Sequence, residues 1–215
     1  MKYKNVLFDL DGTLTDPYVG LSRSVQYALS KFNIAEDRYE TLARFIGPPL
    51  AASFSEFYSF DEDDTKKAIE YYREYYAAKG IFENKLYDDM ETVLRTLNER
   101  GYSCMVATSK PEKFARKVLQ LFSIDRYFDT VAAAPGEGGA LSEKDAIIQN
   151  LLETKCLIQQ ETIMIGDRKF DIDGARKNGI DSIAVTYGYG SIEELTACQP
   201  TYFCGSALDI LNILP

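Results

Sequence analysis

Residues 5–16, NVLFDLDGTLTD, place two aspartates directly after a short apolar run. The run at residues 5–8 predicts a buried β-strand, and Asp9 and Asp11 stand at its carboxyl end. Carboxylates this close repel each other unless a cation joins them. The stretch therefore predicts a cation site at the end of the first strand, where Gly12 lets the chain turn tightly.

Two different patterns follow this strand. From residue 17 to about 76 the sequence predicts helices alone, whereas short apolar strands and helices alternate after residue 87. Such alternation is typical of a parallel sheet covered by helices. We therefore predict an α/β fold: a Rossmann-like parallel sheet formed by residues 1–15 and 87–215, with an all-helical domain, residues 16–86, inserted after the first strand.

Some local features are predicted within the second pattern. PEKFARKVLQLF, residues 111–122, predicts a helix with Pro111 in its first turn. SEKDAIIQNLLE, residues 142–153, predicts a helix that Ser142 caps. GEGG, residues 136–139, predicts a flexible loop. YGYGS, residues 187–191, predicts a strand-to-helix loop in which Ser191 caps the next helix and Glu194 completes a capping box; we assign this loop no chemistry.

The composition limits the chemistry that the chain can perform. It contains no histidine and four cysteines, and its formal net charge is −9. Without histidine, catalysis must use carboxylates, lysines, hydroxyls or a metal. The cysteines form no CxxC pair, so a zinc site is not expected. The negative charge argues against nucleic acid as a partner, and no apolar stretch reaches the roughly 18 residues that span a bilayer.

Polar residues follow several of the predicted strands. Thr108 and Ser109 follow the second core strand, Lys144 begins the helix after the third, and Asp167 and Asp171 follow the fourth. In an open parallel sheet, ligands bind beyond the carboxyl ends of the strands. We therefore expect these residues to meet Asp9 and Asp11 at one edge.

This set of residues predicts phosphoryl chemistry. Asp9, Asp167 and Asp171 offer the oxygen ligands that Mg²⁺ prefers. Asp9 is placed to act as a covalent nucleophile that forms an aspartyl-phosphate, and Asp11 to act as general acid and then base. Thr108 and Lys144 would bind the phosphoryl oxygens.

The motifs FDLDGTLTD, VATSKP, SEKDAI and IGDRKFDIDGARKNG resemble those of the haloacid dehalogenase superfamily, and most closely its phosphoglycolate-phosphatase-like branch with a helical cap of the first class. The resemblance implies the roles given above for Asp9, Asp11, Thr108, Lys144, Asp167 and Asp171. It also implies that the main chain at Leu10 and Asp11, with Ser109, helps to bind phosphate. The carbonyl oxygen of Asp11 would be a further Mg²⁺ ligand, and the presence of Asp11 argues against dehalogenation.

In the inserted domain, the stretch ARFIGPPL is the best candidate for recognising the substrate. Arg44 is positioned to bind a second anionic group, and Gly47 begins a rigid turn between two helices. We expect the domain to act as a lid that excludes water from the reaction.

The sequence favours a Mg²⁺-dependent phosphatase acting on a small phosphorylated metabolite. A phosphomutase of the same superfamily stays open as an alternative, and an aspartate-phosphorylated signalling switch is a weaker one. Phosphoglycolate, a nucleotide monophosphate and a sugar phosphate all remain open as substrates. We expect a cytoplasmic monomer or homodimer that binds neither nucleic acid nor membranes.

Overall fold

The structure is a computed structural model that describes residues 2–135 and 143–215. The expectations for residues 136–139 and for Ser142 lie outside the described residues. In chain order, the strands are β1 (Asn5–Phe8), β2 (Thr15–Asp16), β3 (Lys85–Leu86), β4 (Ser103–Pro111), β5 (Thr130–Ala134), β6 (Thr162–Gly166), β7 (Asp181–Val185) and β8 (Tyr202–Cys204). The helices are α1 (Tyr18–Ser30), α2 (Tyr39–Ala43), α3 (Leu50–Tyr58), α4 (Glu62–Ala78), α5 (Met90–Glu99), α6 (Glu112–Leu121), α7 (Lys144–Thr154), α8 (Lys169–Lys177), α9 (Ile192–Ala197) and α10 (Ile210–Ile213).

The main sheet has six strands in the order β5-β4-β1-β6-β7-β8, and each neighbouring pair is parallel. The strand β1 lies inside the sheet between β4 and β6, which explains its continuous apolar run. Val6, Leu7 and Phe8 have no exposed surface. The predicted α/β class with a parallel sheet is confirmed.

Helices cover this sheet by their apolar sides. The helix α7 packs against β4 and β5, while α8 packs against β6 and β7. Between these helices and the strands lies a core cluster to which Leu7, Met105, Ile148, Leu151 and Met164 belong. Since β1 pairs with a strand on each side, the sheet fixes the backbone position of the residues that directly follow it.

The chain divides into two compact units, Met1–Asp16 with Leu86–Pro215, and Pro17–Lys85. The roles of catalytic core (1–15 and 87–215) and cap (16–86) stay predictions. In the second unit α1 packs against α4, and its interior is aromatic. Phe45 and Phe54 meet edge to face at 5.1 Å, and Tyr72 and Tyr76 stack at 5.6 Å.

One local prediction is wrong. Pro111 does not lie in the first turn of a helix: it is the last residue of β4, and α6 begins at Glu112. The backbone of Pro111 is extended, with φ −55° and ψ 135°. Proline fixes φ at a value that suits both a first helical turn and extended backbone, so the residue type alone does not distinguish the two.

None of the helices in the described ranges is long and apolar enough to cross a lipid bilayer.

Candidate active site

Asp9 is the first residue beyond β1, and the sheet fixes its backbone. Its N–H donates to the carbonyl oxygen of Ile165 in β6 at 2.9 Å. The side chain is 11% exposed, and its Oδ1 lies 2.7 Å from the Nζ of Lys144. Asp9 therefore presents a carboxylate, held at one oxygen, at the carboxyl edge of the sheet.

A tight turn follows Asp9. The carbonyl oxygen of Leu10 accepts from the N–H groups of Leu14 and Thr15, at 2.9 and 3.0 Å. Gly12 has a φ of +91°, a conformation that residues with a side chain rarely adopt. A Cβ on Gly12 would stand 2.2 Å from the Oδ2 of Asp167. The glycine thus lets the turn lie directly against an acid from another strand.

Asp167 and Asp171 lie where β6 leads into α8. Asp167 has no exposed surface, and it accepts from Thr13 Oγ1 at 3.2 Å and from the N–H of Tyr189 at 2.8 Å. Asp171 caps the first turn of α8, because its Oδ2 accepts from the N–H of Arg168 at 3.0 Å. A Cβ on Gly166 would stand 2.2 Å from the Cβ of Asp171, so this glycine makes room for the acid.

Lys144, the first residue of α7, joins two of these acids. Its Nζ lies 2.7 Å from Asp9 Oδ1 and 2.8 Å from Asp171 Oδ1, and it donates to Ala107 O at 2.9 Å. The ammonium group therefore forms ion pairs with two carboxylates and a hydrogen bond with one carbonyl oxygen. Burial alone would lower the pKa of Lys144, but the charges of Asp171 and Asp9 outweigh it and raise that pKa above its usual value.

The carboxylates of Asp9, Asp167 and Asp171 could hold a cation. One oxygen of each lies within 4.8 Å of the others. Burial raises the pKa of Asp167 well above its usual value, and the charges of Asp171 and Asp9 raise it further. Burial also raises the pKa of Asp171, to about 6, against the opposing charge of Lys144. Three buried acids around one lysine leave an excess of negative charge, and their hard oxygen donors fit Mg²⁺.

Asp11 faces a different lysine. Its Oδ2 lies 2.6 Å from the Nζ of Lys110, and the side chains of Lys110 and Asp11 are 7% and 17% exposed. Its other oxygen, Oδ1, is buried and has no hydrogen-bond partner among the described residues. Thr108 is buried and Ser109 is half-buried, and Thr108 Oγ1 accepts from the N–H of Lys110 at 3.3 Å. The phosphate-binding roles of Leu10, Thr108 and Ser109 stay predictions.

Sequence reasoning missed the loop after β7. The N–H of Tyr189 donates to Asp167, the hydroxyl of Tyr189 donates to Asp16, and the hydroxyl of Tyr187 donates to the carbonyl oxygen of Thr13 at 3.0 Å. A Cβ on Gly188 would stand 2.3 Å from the Cβ of Asp167. This loop therefore holds Asp167 in place, and its two tyrosines alternating with two glycines were the available signal.

The capping box predicted for this loop is half formed. Ser191 Oγ accepts from the N–H of Glu194 at 3.1 Å, as expected. The carboxylate of Glu194 does not return to Ser191 but accepts from Arg168 Nε and from the N–H of Lys169, both at 2.9 Å. Glu194 thus holds the segment that follows Asp167.

Two residues of the inserted domain were predicted to take part in substrate choice. Arg44 Nη2 lies 3.1 Å from Glu56 Oε1, and its guanidinium lies 4.0 Å from the centroid of the Phe57 ring. Gly47 has a φ of +106°, which accounts for a glycine at this turn. The predicted roles of Arg44 and Gly47 in substrate choice stay predictions. In the core domain, Asp173 on α8 pairs with Arg176 at 2.6 Å.

Comparisons with known proteins show the family of the chain. The family model for haloacid dehalogenase-like hydrolases matches residues 6–185. A 5'-nucleotidase from Pseudomonas aeruginosa is 42% identical, over 100% of this chain and 96% of its own length. A phosphoglycolate phosphatase from Vibrio parahaemolyticus is 28% identical, over 98% of this chain and 96% of its own length.

Solved structures agree with the sequence comparison. The crystal structure of a "predicted phosphatase" from Clostridium acetobutylicum superposes with a TM-score of 0.94 at 44% identity, covering 100% of this chain and 99% of the other. Both the motifs and the fold of the relatives therefore extend over the full length of this chain. The chain is a phosphatase-type member of the haloacid dehalogenase-like hydrolase family.

Proposed function

We propose that the protein is a Mg²⁺-dependent phosphatase that hydrolyses small phosphate monoesters through an aspartyl-phosphate on Asp9. The observation that carries the proposal is the separation of the two aspartates of the first motif. Asp9 is bonded to Lys144 and belongs to the cluster with Asp167 and Asp171, whereas Asp11 is bonded to Lys110. Two carboxylates in different surroundings are suited to two different chemical tasks.

In the first half-reaction, Asp9 attacks the phosphorus atom of the ester. Lys144 engages Oδ1 of Asp9, so we assign the attack to Oδ2. As the bond to phosphorus forms, the bond from phosphorus to the ester oxygen breaks, and Asp11 gives that oxygen a proton. An alcohol leaves, and the phosphoryl group remains on Asp9.

In the second half-reaction, Asp11 acts in the opposite direction. It takes a proton from a water molecule, whose oxygen attacks the phosphorus atom while the bond to Asp9 breaks. Inorganic phosphate leaves and the Asp9 carboxylate is restored. Bound through Asp9, Asp167 and Asp171, Mg²⁺ would neutralise negative charge on the phosphoryl oxygens.

Nucleoside 5'-monophosphates are the substrate class that we place first. The relative at 42% identity is named a 5'-nucleotidase, and the phosphoglycolate phosphatase is more distant at 28%. We therefore expect AMP, IMP or a related monophosphate to be hydrolysed faster than 2-phosphoglycolate. We also propose that Arg44 and Gly47 of the helical unit contribute to this choice.

The test is phosphate release from nucleoside monophosphates, 2-phosphoglycolate and sugar phosphates, with and without EDTA. We expect activity that EDTA abolishes and that Asp9→Asn removes. Asp173→Asn is the matched control, because Asp173 lies on α8 outside the cluster of three carboxylates and pairs with Arg176. Trapping in acid followed by mass spectrometry of the Asp9 peptide should detect the phosphoryl group.

Two outcomes would favour the alternatives. Transfer of the phosphoryl group between hydroxyls of a sugar monophosphate, without release of phosphate, would indicate a phosphomutase. Stable phosphorylation of Asp9 without turnover of any ester would indicate a signalling switch. Full activity of Asp9→Asn would contradict the aspartyl-phosphate mechanism itself.

A further inference from the structure

Lys110 makes a contact that the chemistry described so far does not use. Its Nζ lies 2.6 Å from Asp11 Oδ2, and its side chain is 7% exposed. A buried ammonium group keeps its charge only when it is paired. We propose that Lys110 is a positioning residue, which holds Asp11 so that its other oxygen faces the leaving group and then the attacking water.

The backbone of β4 explains how Lys110 reaches Asp11. The register between β4 and β5 shifts between Thr108 and Pro111, which is a local irregularity of the bulge type. The hydroxyl of Thr108 accepts from the N–H of Lys110 at 3.3 Å. Irregularities of this kind re-aim side chains next to active sites. The bulge in β4 therefore accounts for a lysine that points its ammonium group at the turn after β1.

The two buried lysines divide the carboxylates between them. Lys144 forms ion pairs with Asp9 and Asp171 and donates to Ala107 O, whereas Lys110 forms an ion pair with Asp11. A different lysine therefore contacts each of the two aspartates of the first motif.

The second carboxylate oxygen of Asp11 has no partner in the described part of the chain. Oδ1 is buried and has no hydrogen-bond partner among the described residues, which costs free energy. An ester oxygen or a water molecule would supply the missing partner. With Oδ2 fixed by Lys110, Oδ1 is the atom that carries the proton in both half-reactions. This role rests on the proposed function, since it requires Asp11 to act as acid and base.

A lysine that simply bound the substrate phosphate would behave differently. Its loss would weaken phosphoryl transfer from every ester to a similar extent. Loss of a lysine that positions the acid and base should instead depend on the leaving group. An alkyl oxygen needs a proton to leave, whereas p-nitrophenolate, a weak base, leaves without one. The two roles are therefore separable by kinetics.

The experiment compares Lys110→Met with the wild-type enzyme in rapid-quench assays on p-nitrophenyl phosphate and on AMP or 2-phosphoglycolate, whichever is turned over. Lys113→Met, an exposed lysine on α6, is the matched control. We expect the rate of the p-nitrophenol burst to stay within about threefold of the wild-type rate. The rate of the slow phase that follows, and the turnover rate of the alkyl ester, should fall by at least about tenfold. The phosphoenzyme should accumulate.

Three results would overturn the proposal. An equal loss of the burst and of the slow phase would assign Lys110 to phosphate binding, and kinetics like those of Lys113→Met would give it no role. Absence of turnover in the wild-type enzyme would instead refute the proposed function, and this role with it. If thermal melting shows that Lys110→Met does not fold, Lys110→Gln takes its place in the same comparison, because its amide still fills the site without the charge.

Discussion

Replacing Asp167 with asparagine should stabilise the metal-free protein. Asp167 is fully buried, and its carboxylate lies within 4.8 Å of those of Asp9 and Asp171. Asparagine has nearly the same shape, and it can keep both hydrogen bonds: its oxygen accepts from Tyr189, and its amide donates to the hydroxyl of Thr13. The substitution thus removes a charge and leaves the packing unchanged.

The magnitude follows from the distances. At 4.8 Å and an effective dielectric constant of about 20, two like charges repel by about 3 kcal/mol. Asp167 has two such neighbours. The ammonium group of Lys144 forms ion pairs with both of them, and its attraction for Asp167 offsets about one of the two repulsion energies. We therefore expect the free energy of unfolding to rise by about 2–3 kcal/mol, which corresponds to a Tm increase of roughly 4–12 °C for a chain of this size.

Thermal unfolding in EDTA and in Mg²⁺ measures this effect. In EDTA, Asp167→Asn should melt at a higher temperature than the wild-type protein. Asp173→Asn should melt at the wild-type temperature, because Asp173 lies at the surface of α8. In Mg²⁺ the wild-type protein should gain stability through binding, and Asp167→Asn should gain less. A Tm of Asp167→Asn at or below that of wild type in EDTA would contradict this prediction, because the carboxylates would then not repel each other in the folded protein.

Three other changes test the same site and its surroundings. Lys144→Met should lower the free energy of unfolding by about 3–5 kcal/mol in EDTA, opposite in sign to Asp167→Asn, because it leaves buried carboxylates without their cation; urea unfolding measures this. Gly188→Ala should destabilise the protein by roughly 1–3 kcal/mol and reduce Mg²⁺ binding measured by calorimetry, because its Cβ would stand 2.3 Å from the Cβ of Asp167. In the native protein, a thiol reagent should label Cys156 rapidly and leave Cys104 unlabelled, because Cys156 is exposed and burial raises the pKa of the Cys104 thiol to about 12. A Cys104 thiol that stays unlabelled after full unfolding would contradict this explanation.

The sequence by itself was sufficient to predict the α/β class. The run at residues 5–8 is apolar at every position but the first, which is the pattern of a strand buried on both faces. Alternating strands and helices after residue 87 then limit the fold to a parallel sheet covered by helices. Since parallel strands present their carboxyl ends at one edge, the positions of Asp9, Asp167 and Asp171 along the chain also predicted that they would meet.

Tertiary structure decided which charged groups pair with each other. Lys144 was expected to bind phosphate, and the structure shows that its ammonium group forms ion pairs with Asp9 and Asp171 and donates to Ala107 O. Lys110 was given no role, yet it is bonded to Asp11. The loop that holds Asp167 through Tyr189 was likewise not foreseen. Local sequence sets the period and ends of strands and helices, whereas pairing between side chains distant along the chain depends on register, a bulge and the space that a glycine leaves, which are fixed only when the sheet is assembled.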